Sequence, residues 1–218
     1  MGENAWYLSR PKGGATRRAV VLGVLTAAIA GGWPRLVLTD EGAAAPIEAF
    51  HEGLLGVMRE ARNLGFAGRA ERLAPLIEVT FDHATMTRIA CGQAWDGIEA
   101  SLQGRLIRAF RAYAVASYAA NFDDYSGQSF STVAVEPSRG GRVLVKTEMV
   151  RPAGRGQPVP FVYTMHETAA GWQAIDVLAA GRMSELARRR SEFSTILARS
   201  GAEELLRVLE LQTQALSA

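Results

Sequence analysis

Residues 106–130 open with Leu106-Ile107-Arg108-Ala109-Phe110-Arg111-Ala112-Tyr113 and continue through an alanine-rich run, Ala114 to Ala120, that contains Tyr118. They close with Asn121-Phe122-Asp123-Asp124-Tyr125-Ser126-Gly127-Gln128-Ser129-Phe130. Six of the chain's seventeen aromatic residues fall between Phe110 and Phe130. At about 100° per residue, Tyr118, Phe122 and Tyr125 lie within roughly 60° of one another on a helix, with Phe110 and Tyr113 bordering them. Alanines fill the gaps. The helix should end near Tyr125-Ser126-Gly127, where an alternating pattern takes over. A long helix with a bulky stripe, delivered onto a sheet, can close a core or wall a cavity. Which of these it does decides the function.

Downstream of Gly127 the periodicity is two. Phe130 to Val135 reads as a strand, and Arg142 to Val150 as a second, with Val143, Val145, Thr147 and Met149 on one face. Ser138-Arg139-Gly140-Gly141 joins them as a hairpin turn. A polar turn from Arg151 to Pro158, which includes Gly154-Arg155-Gly156, leads to a third strand, Val159 to Glu167. There Phe161, Tyr163 and Met165 face one way. Trp172 to Leu178 is the fourth. Four consecutive strands with short connections form an antiparallel meander. Arg182 to Arg199 and Ala202 to Leu216 read as two closing helices parted by Ser200-Gly201.

Upstream the periodicity is helical. Pro46 to Leu64 carries Ile47, Phe50, Leu54, Leu55 and Met58 at three- and four-residue spacing. Gly65-Phe66-Ala67-Gly68 breaks it. Arg69 to Phe81 resumes, with Pro75 expected to mark a kink or a start near Ala74. Asp82 is placed to cap a short helix, and Ser101 to cap the long one, which should run to about Asp124. The class is α+β: a four-stranded antiparallel meander packed by N-terminal and C-terminal helices, with the long helix and its neighbours over one sheet face. This arrangement resembles the cone-shaped folds of the nuclear-transport-factor type, in which helices and a curved sheet enclose an interior pocket.

The chain has 218 residues, is 48% hydrophobic and 21% charged, and suits one sizeable folded domain. Its net charge of +2 comes from the N-terminal segment. Residues 1–45 hold five basic residues (Arg10, Lys12, Arg17, Arg18, Arg35) and three acids (Glu3, Asp40, Glu41). From the totals of 24 basic and 22 acidic residues, this leaves 19 of each beyond. A neutral body gives no electrostatic case for nucleic acid. The N-terminal segment itself reads as an export signal. Arg17-Arg18 precede an apolar run from Ala19 to Ala30, and small residues follow at Gly42-Ala43-Ala44-Ala45. The run falls short of the ~20 residues that span a bilayer. The expectation is a leader over 1–45, used by general secretion or a weak twin-arginine route, and an exported domain over 46–218. An uncleaved anchor is the alternative.

No catalytic set emerges. His51, His83 and His166 lie in different elements without metal-ligand spacing, and there is no nucleophile elbow, phosphate loop or dinucleotide fingerprint. No cofactor is implied. Cys91, the single cysteine, reads as inert packing. Asp123-Asp124 sit at a helix end beside a turn. Asp176 with His166, on neighbouring strands, is the one pair that could found an enzyme site. Arg188-Arg189-Arg190 reads as a solvated helix face, or as a patch for anionic headgroups or an acidic partner.

Several segments, taken in order and spacing, resemble the MlaC family, also called the toluene-tolerance auxiliary family, of periplasmic lipid-binding proteins. They are Phe110-Arg111-Ala112-Tyr113, Tyr118, Tyr125-Ser126-Gly127-Gln128-Ser129-Phe130, Gly171-Trp172-Gln173-Ala174-Ile175-Asp176-Val177 with Gly181, and Arg189, Ser191-Glu192-Phe193 and Ile196-Leu197. Ser184 to Phe193 looks closest to the hopanoid-associated HpnM branch. The resemblance covers about Ala45 to Leu216. It implies a non-enzymatic periplasmic carrier of phospholipid or hopanoid. Such a carrier moves lipid between an outer-membrane lipoprotein complex and the ring protein of an inner-membrane ABC transporter. The acyl chains would sit between sheet and helices. Drawing one ~16-carbon chain from a bilayer costs on the order of 12 kcal/mol, which a dry apolar wall must offset. The expected lipid-binding residues are therefore Phe110, Tyr113, Phe122, Val145, Met149, Phe161, Tyr163, Met165 and Val177. Ordinary core packing is the alternative for each. For the whole chain the alternatives are a small cone-fold enzyme, which needs His166 and Asp176 to converge, and a non-lipid interaction module.

Overall fold

The computed structural model describes residues 41–152, 156–181 and 184–217. The leader expected over 1–45 falls on residues 1–40, which lie outside the described residues, and on the first five positions of a helix. That helix, α1 (Glu41–Arg59), carries buried Ala43, Ile47, Phe50, Leu54 and Met58 on one stripe, as the spacing required. His51 is buried on the same side.

The next helix, α2 (Ala61–Thr80), is broken at Gly65 (φ 59°, ψ −173°), within the expected Gly65–Gly68 break. Pro75 does not start it; the helix runs through, with helical backbone on both sides of the proline. Pro75 is exposed, as is Glu71 one turn earlier, so water can meet the carbonyl that the proline leaves without a donor. In α3 (His83–Cys91), Asp82 accepts a hydrogen bond from the Thr85 N–H at 2.9 Å and caps the helix as expected. A 3-10 turn, Gly92–Gly97, leads to α4 (Ala100–Asn121). Its cap is Glu99 rather than Ser101. The Glu99 carboxylate accepts from the N–H groups of Ser101 (3.0 Å) and Leu102 (3.3 Å), satisfying two donors that a serine could meet only singly. The helix ends at Asn121, three residues before Asp124.

The turn into the sheet depends on Gly127, which adopts φ 92°; a Cβ there would lie 2.7 Å from a ring carbon of Pro152. The strands β1 (Ser129–Pro137), β2 (Val143–Val150), β3 (Val159–Thr168) and β4 (Gly171–Ala179) pair antiparallel in the order β1-β2-β3-β4. This is the expected meander. Of the turn expected over 151–158, residues 153–155, with Gly154 and Arg155, lie outside the described residues. Two register shifts occur, one at Val133 in β1 and one at Ile175 in β4. The last element, α5 (Glu185–Ser217), is two helices meeting at Gly201 (φ 80°, ψ −177°), again as the sequence implied.

Two expectations need correction. The helix lying on the sheet is α1, not the long α4. Along α4, buried Ala116 and Ala119 allow close helix–helix contact, and the helix packs chiefly against α2 and α5. It reaches toward the sheet side through Tyr118, whose ring meets Phe50 and Phe81 edge-on or tilted. The arginine run is also not a uniformly solvated face. Arg189 is fully buried. It donates to Glu185 (2.8 Å), Glu192 (2.8 Å) and Gln212 (3.3 Å), and its guanidinium lies 4.0 Å from the Tyr113 ring centroid. Gln212 in turn donates to Glu192 at 2.7 Å. One planar cation thus ties both halves of α5 to α4. Its neighbour Arg188 is half-exposed and forms a two-pronged pair with Glu185.

Removing Arg189 leaves two carboxylates facing a cavity, so Arg189→Ala is expected to cost about 3 kcal/mol of unfolding free energy. Arg189→Lys should recover little, since an ammonium lacks the planar fork. Urea unfolding monitored by circular dichroism measures both; a loss below about 1 kcal/mol for the alanine variant would show that the network does not hold α5.

Candidate functional site

Strand alternation puts one set of side chains on a single face of the sheet. In β2 Val143, Val145, Thr147 and Met149 are buried, while Leu144, Lys146 and Glu148 between them are half-exposed. The register extends that buried face across the neighbours. Val145 lies opposite Tyr163 and Tyr163 opposite Val177; Thr147 lies opposite Phe161 and Phe161 opposite Ala179; Val143 lies opposite Met165. On the edge strand, Phe130 is opposite Met149 and Thr132 opposite Thr147. Six of the nine expected lipid-binding residues, Val145, Met149, Phe161, Tyr163, Met165 and Val177, therefore share this inner face.

The other three do not. Phe122, just beyond the end of α4, is buried and stacks on Tyr118 (5.5 Å, 12°), joining the aromatic layer behind Phe50 and Phe81. Phe110 packs edge-on against Phe193 of α5 and His83 of α3. Tyr113 lies under Arg189. At about 100° per residue Phe110 lies roughly 80° and Tyr113 roughly 140° around the helix from Tyr118, and packing against α3 and α5 takes up those two directions.

The inner face is seated against α1 by polar as well as apolar contacts. His51 Nε2 lies 2.9 Å from the Tyr163 hydroxyl, and its ring stacks on Phe130 (4.0 Å, 14°). One turn away, the Thr132 hydroxyl donates to Glu48 at 2.6 Å. Phe50 meets Phe81 edge-on, and Phe81 lies 6.4 Å from the Tyr163 ring. The expected lipid-binding set left out His51, Phe50 and Thr147, which the sequence places only in an apolar stripe or on a strand face. The available signal was a polar residue placed within an apolar stripe: His51 beside Phe50 and Leu54, and Thr147 between Val145 and Met149.

The groups that could have been catalytic have different partners. His166 faces Asp82 at 3.1 Å, while Asp176 accepts from the Leu186 N–H at 3.0 Å and anchors the start of α5. They share the outer sheet face but serve different partners. Burial works against the Asp82 charge, yet the Thr85 N–H and hydroxyl, with His166, hold its carboxyl below the usual range. Asp124 forms an exposed pair with Arg62 at 3.3 Å. Burial pushes the Cys91 thiol up to about 12, which makes it a poor nucleophile. Among the described residues, no group of three or more metal-ligating side chains converges, and no helix is long and apolar enough to cross a membrane.

Burial also holds two histidines neutral. It lowers His51 to about 4, and it lowers His83 to about 4 with help from the Arg111 charge. Unfolded, each would titrate near 6.5. Below that pH the unfolded chain binds protons that the folded chain refuses. Stability is therefore complete above pH 6.5 and declines as pH falls toward 4, by on the order of 3 kcal/mol per histidine. Urea midpoints at pH 7, 5.5 and 4.5 should fall in sequence; a flat series would mean the two rings are not held neutral.

Comparison with known proteins places this geometry. No curated protein matches the chain in sequence. Among solved structures, a phospholipid-binding protein from Ralstonia solanacearum, in complex with a phospholipid, matches with a TM-score of 0.70 and 18% identity over 81% of this chain and 99% of that one. That likeness concerns the fold, the four-stranded sheet with its helices. A family model described as MlaC protein matches residues 48–211, from α1 on the sheet through most of α5. The chain belongs to the MlaC family.

Proposed function

We propose that this protein is a non-enzymatic carrier that holds phospholipid acyl chains against the inner sheet face. It would ferry them through the periplasm between an outer-membrane lipoprotein complex and the ring protein of an inner-membrane ABC transporter. The reading rests on membership of the MlaC family over residues 48–211, and the phospholipid held by the Ralstonia solanacearum protein of the same fold supports it. The observation within the chain that carries it is one sheet face made of Val145, Met149, Phe161, Tyr163, Met165 and Val177. Such a face supplies what an alkyl chain needs: removal from water, without directional contacts. Separate partners for His166 and Asp176 argue against the enzyme alternative. The N-terminal run behind Arg17-Arg18 supports export. A hopanoid, also largely apolar, is the second ligand class to test, in keeping with the resemblance of residues 184–193 to the HpnM branch.

Extraction of the purified protein followed by mass identification should yield a glycerophospholipid, and labelled lipid should pass from donor vesicles to the protein. Val177→Phe, which adds bulk on the inner face, should cut loading about tenfold while leaving the far-UV spectrum unchanged. A bare chain in native mass spectrometry, with no uptake from vesicles, would overturn the carrier reading. A recovered hopanoid would redirect it.

A further inference from the structure

The inner face holds one hydroxyl that the fold does not use. Thr147 is 1% exposed, and its Oγ1 has no hydrogen-bond partner among the described residues. A buried, unbonded hydroxyl costs free energy that a valine of the same shape would not. In a strand reading Val143, Val145, Thr147, Met149 on its buried face, folding alone gives no reason for the oxygen.

Its place in the sheet gives one. Thr132, Thr147, Phe161 and Ala179 form a single row across the four strands. The row begins at the exposed edge, where Thr132 is tied to Glu48 of α1, and turns buried at Thr147. Beyond Thr147 it is apolar. In the adjacent row the Tyr163 hydroxyl is bonded to His51. Within the row of Thr132, polarity therefore enters from the β1 edge and stops at Thr147, one strand inward.

We propose that Thr147 receives the ester linkage of a diacyl glycerolipid, its hydroxyl donating to an acyl ester carbonyl. The inference rests on the lipid-carrier reading above. An alkyl chain alone has no use for a donor. A phosphate would bring charge to a row whose edge carries the acidic Glu48. An ester carbonyl is uncharged and accepts a hydrogen bond, and it lies where alkyl chain meets polar headgroup. That junction corresponds to the step from Thr147 to Phe161. The chains would then run inward over Phe161 and Ala179, with the headgroup left at the β1 edge.

The test compares a diester phosphatidylglycerol with its diether analogue of the same chains and headgroup, competed for the full-length protein and read by native mass spectrometry. The wild type should favour the diester about fivefold, the ratio of one neutral hydrogen bond. Thr147→Val should bring the ratio to about one, and Thr147→Ser should retain the preference. The valine variant should also unfold at equal or higher urea than the wild type, whereas a hydroxyl needed for folding would lower it. Equal loading of both lipids by the wild type, or a preference that survives in the valine variant, overturns this inference alone. Loading of neither lipid overturns the carrier reading, and this inference with it.

Discussion

One buried contact sets the geometry of the rest: His51 of α1 against Tyr163 of β3, at 2.9 Å. Two polar groups removed from water must find each other or destabilise the fold, and these two lie 112 residues apart in sequence. Satisfying them lays the first helix on the inner face of the sheet. With α1 in place, Phe50 meets Phe81 and Tyr118, and the aromatic layer continues to Phe122. The long helix packs on α2 and α5 rather than on the strands.

The same contact shows how an apolar site accommodates polarity. Inner-face residues are chiefly Val, Met, Phe and Ala, and their work is to exclude water. His51 and Tyr163 answer one another, and His51 stays neutral because burial depresses it to about 4. Arg189 is the corresponding device between α4 and α5. Its charge is buried but met by Glu185, Glu192, Gln212 and the face of Tyr113. The contact between α4 and α5 is thus closed by ion pairs, whereas the buried His51–Tyr163 contact on the sheet is a neutral hydrogen bond. A neutral hydrogen bond leaves a weaker field on the apolar side chains around it than a buried ion pair would.

Much of the architecture was legible because it depends on local periodicity. Alternation in β2 and β3 placed Val145, Met149, Phe161, Tyr163 and Met165 on one face, and short connections forced the meander. The breaks at Gly65 and Gly201 and the Asp82 cap were readable from residue type. Errors arose where a local signal competes with tertiary contact. Ser101 is a good cap by type, but Glu99 reaches two N–H groups. Pro75 is a helix breaker by type, but its carbonyl partner lies on an exposed side. Arg189 resembles its exposed neighbours until Glu185, Glu192 and Tyr113 surround it.

The sequence by itself determined the class of the fold and which residues of β2 and β3 share a face, because those follow from spacing along one chain, and its motifs carried the family resemblance. The aromatic stripe of residues 110–130 was different. Its members diverge: Phe110 and Tyr113 turn toward α5, Tyr118 and Phe122 toward Phe50 and Phe81, and Phe130 toward His51. Only the tertiary structure decided that division, and with it the helix that covers the sheet and the buried position of the Thr147 hydroxyl. The physical reason is that helix phase and strand parity state which residues share a face, whereas the partner for that face is chosen by packing among elements distant in sequence.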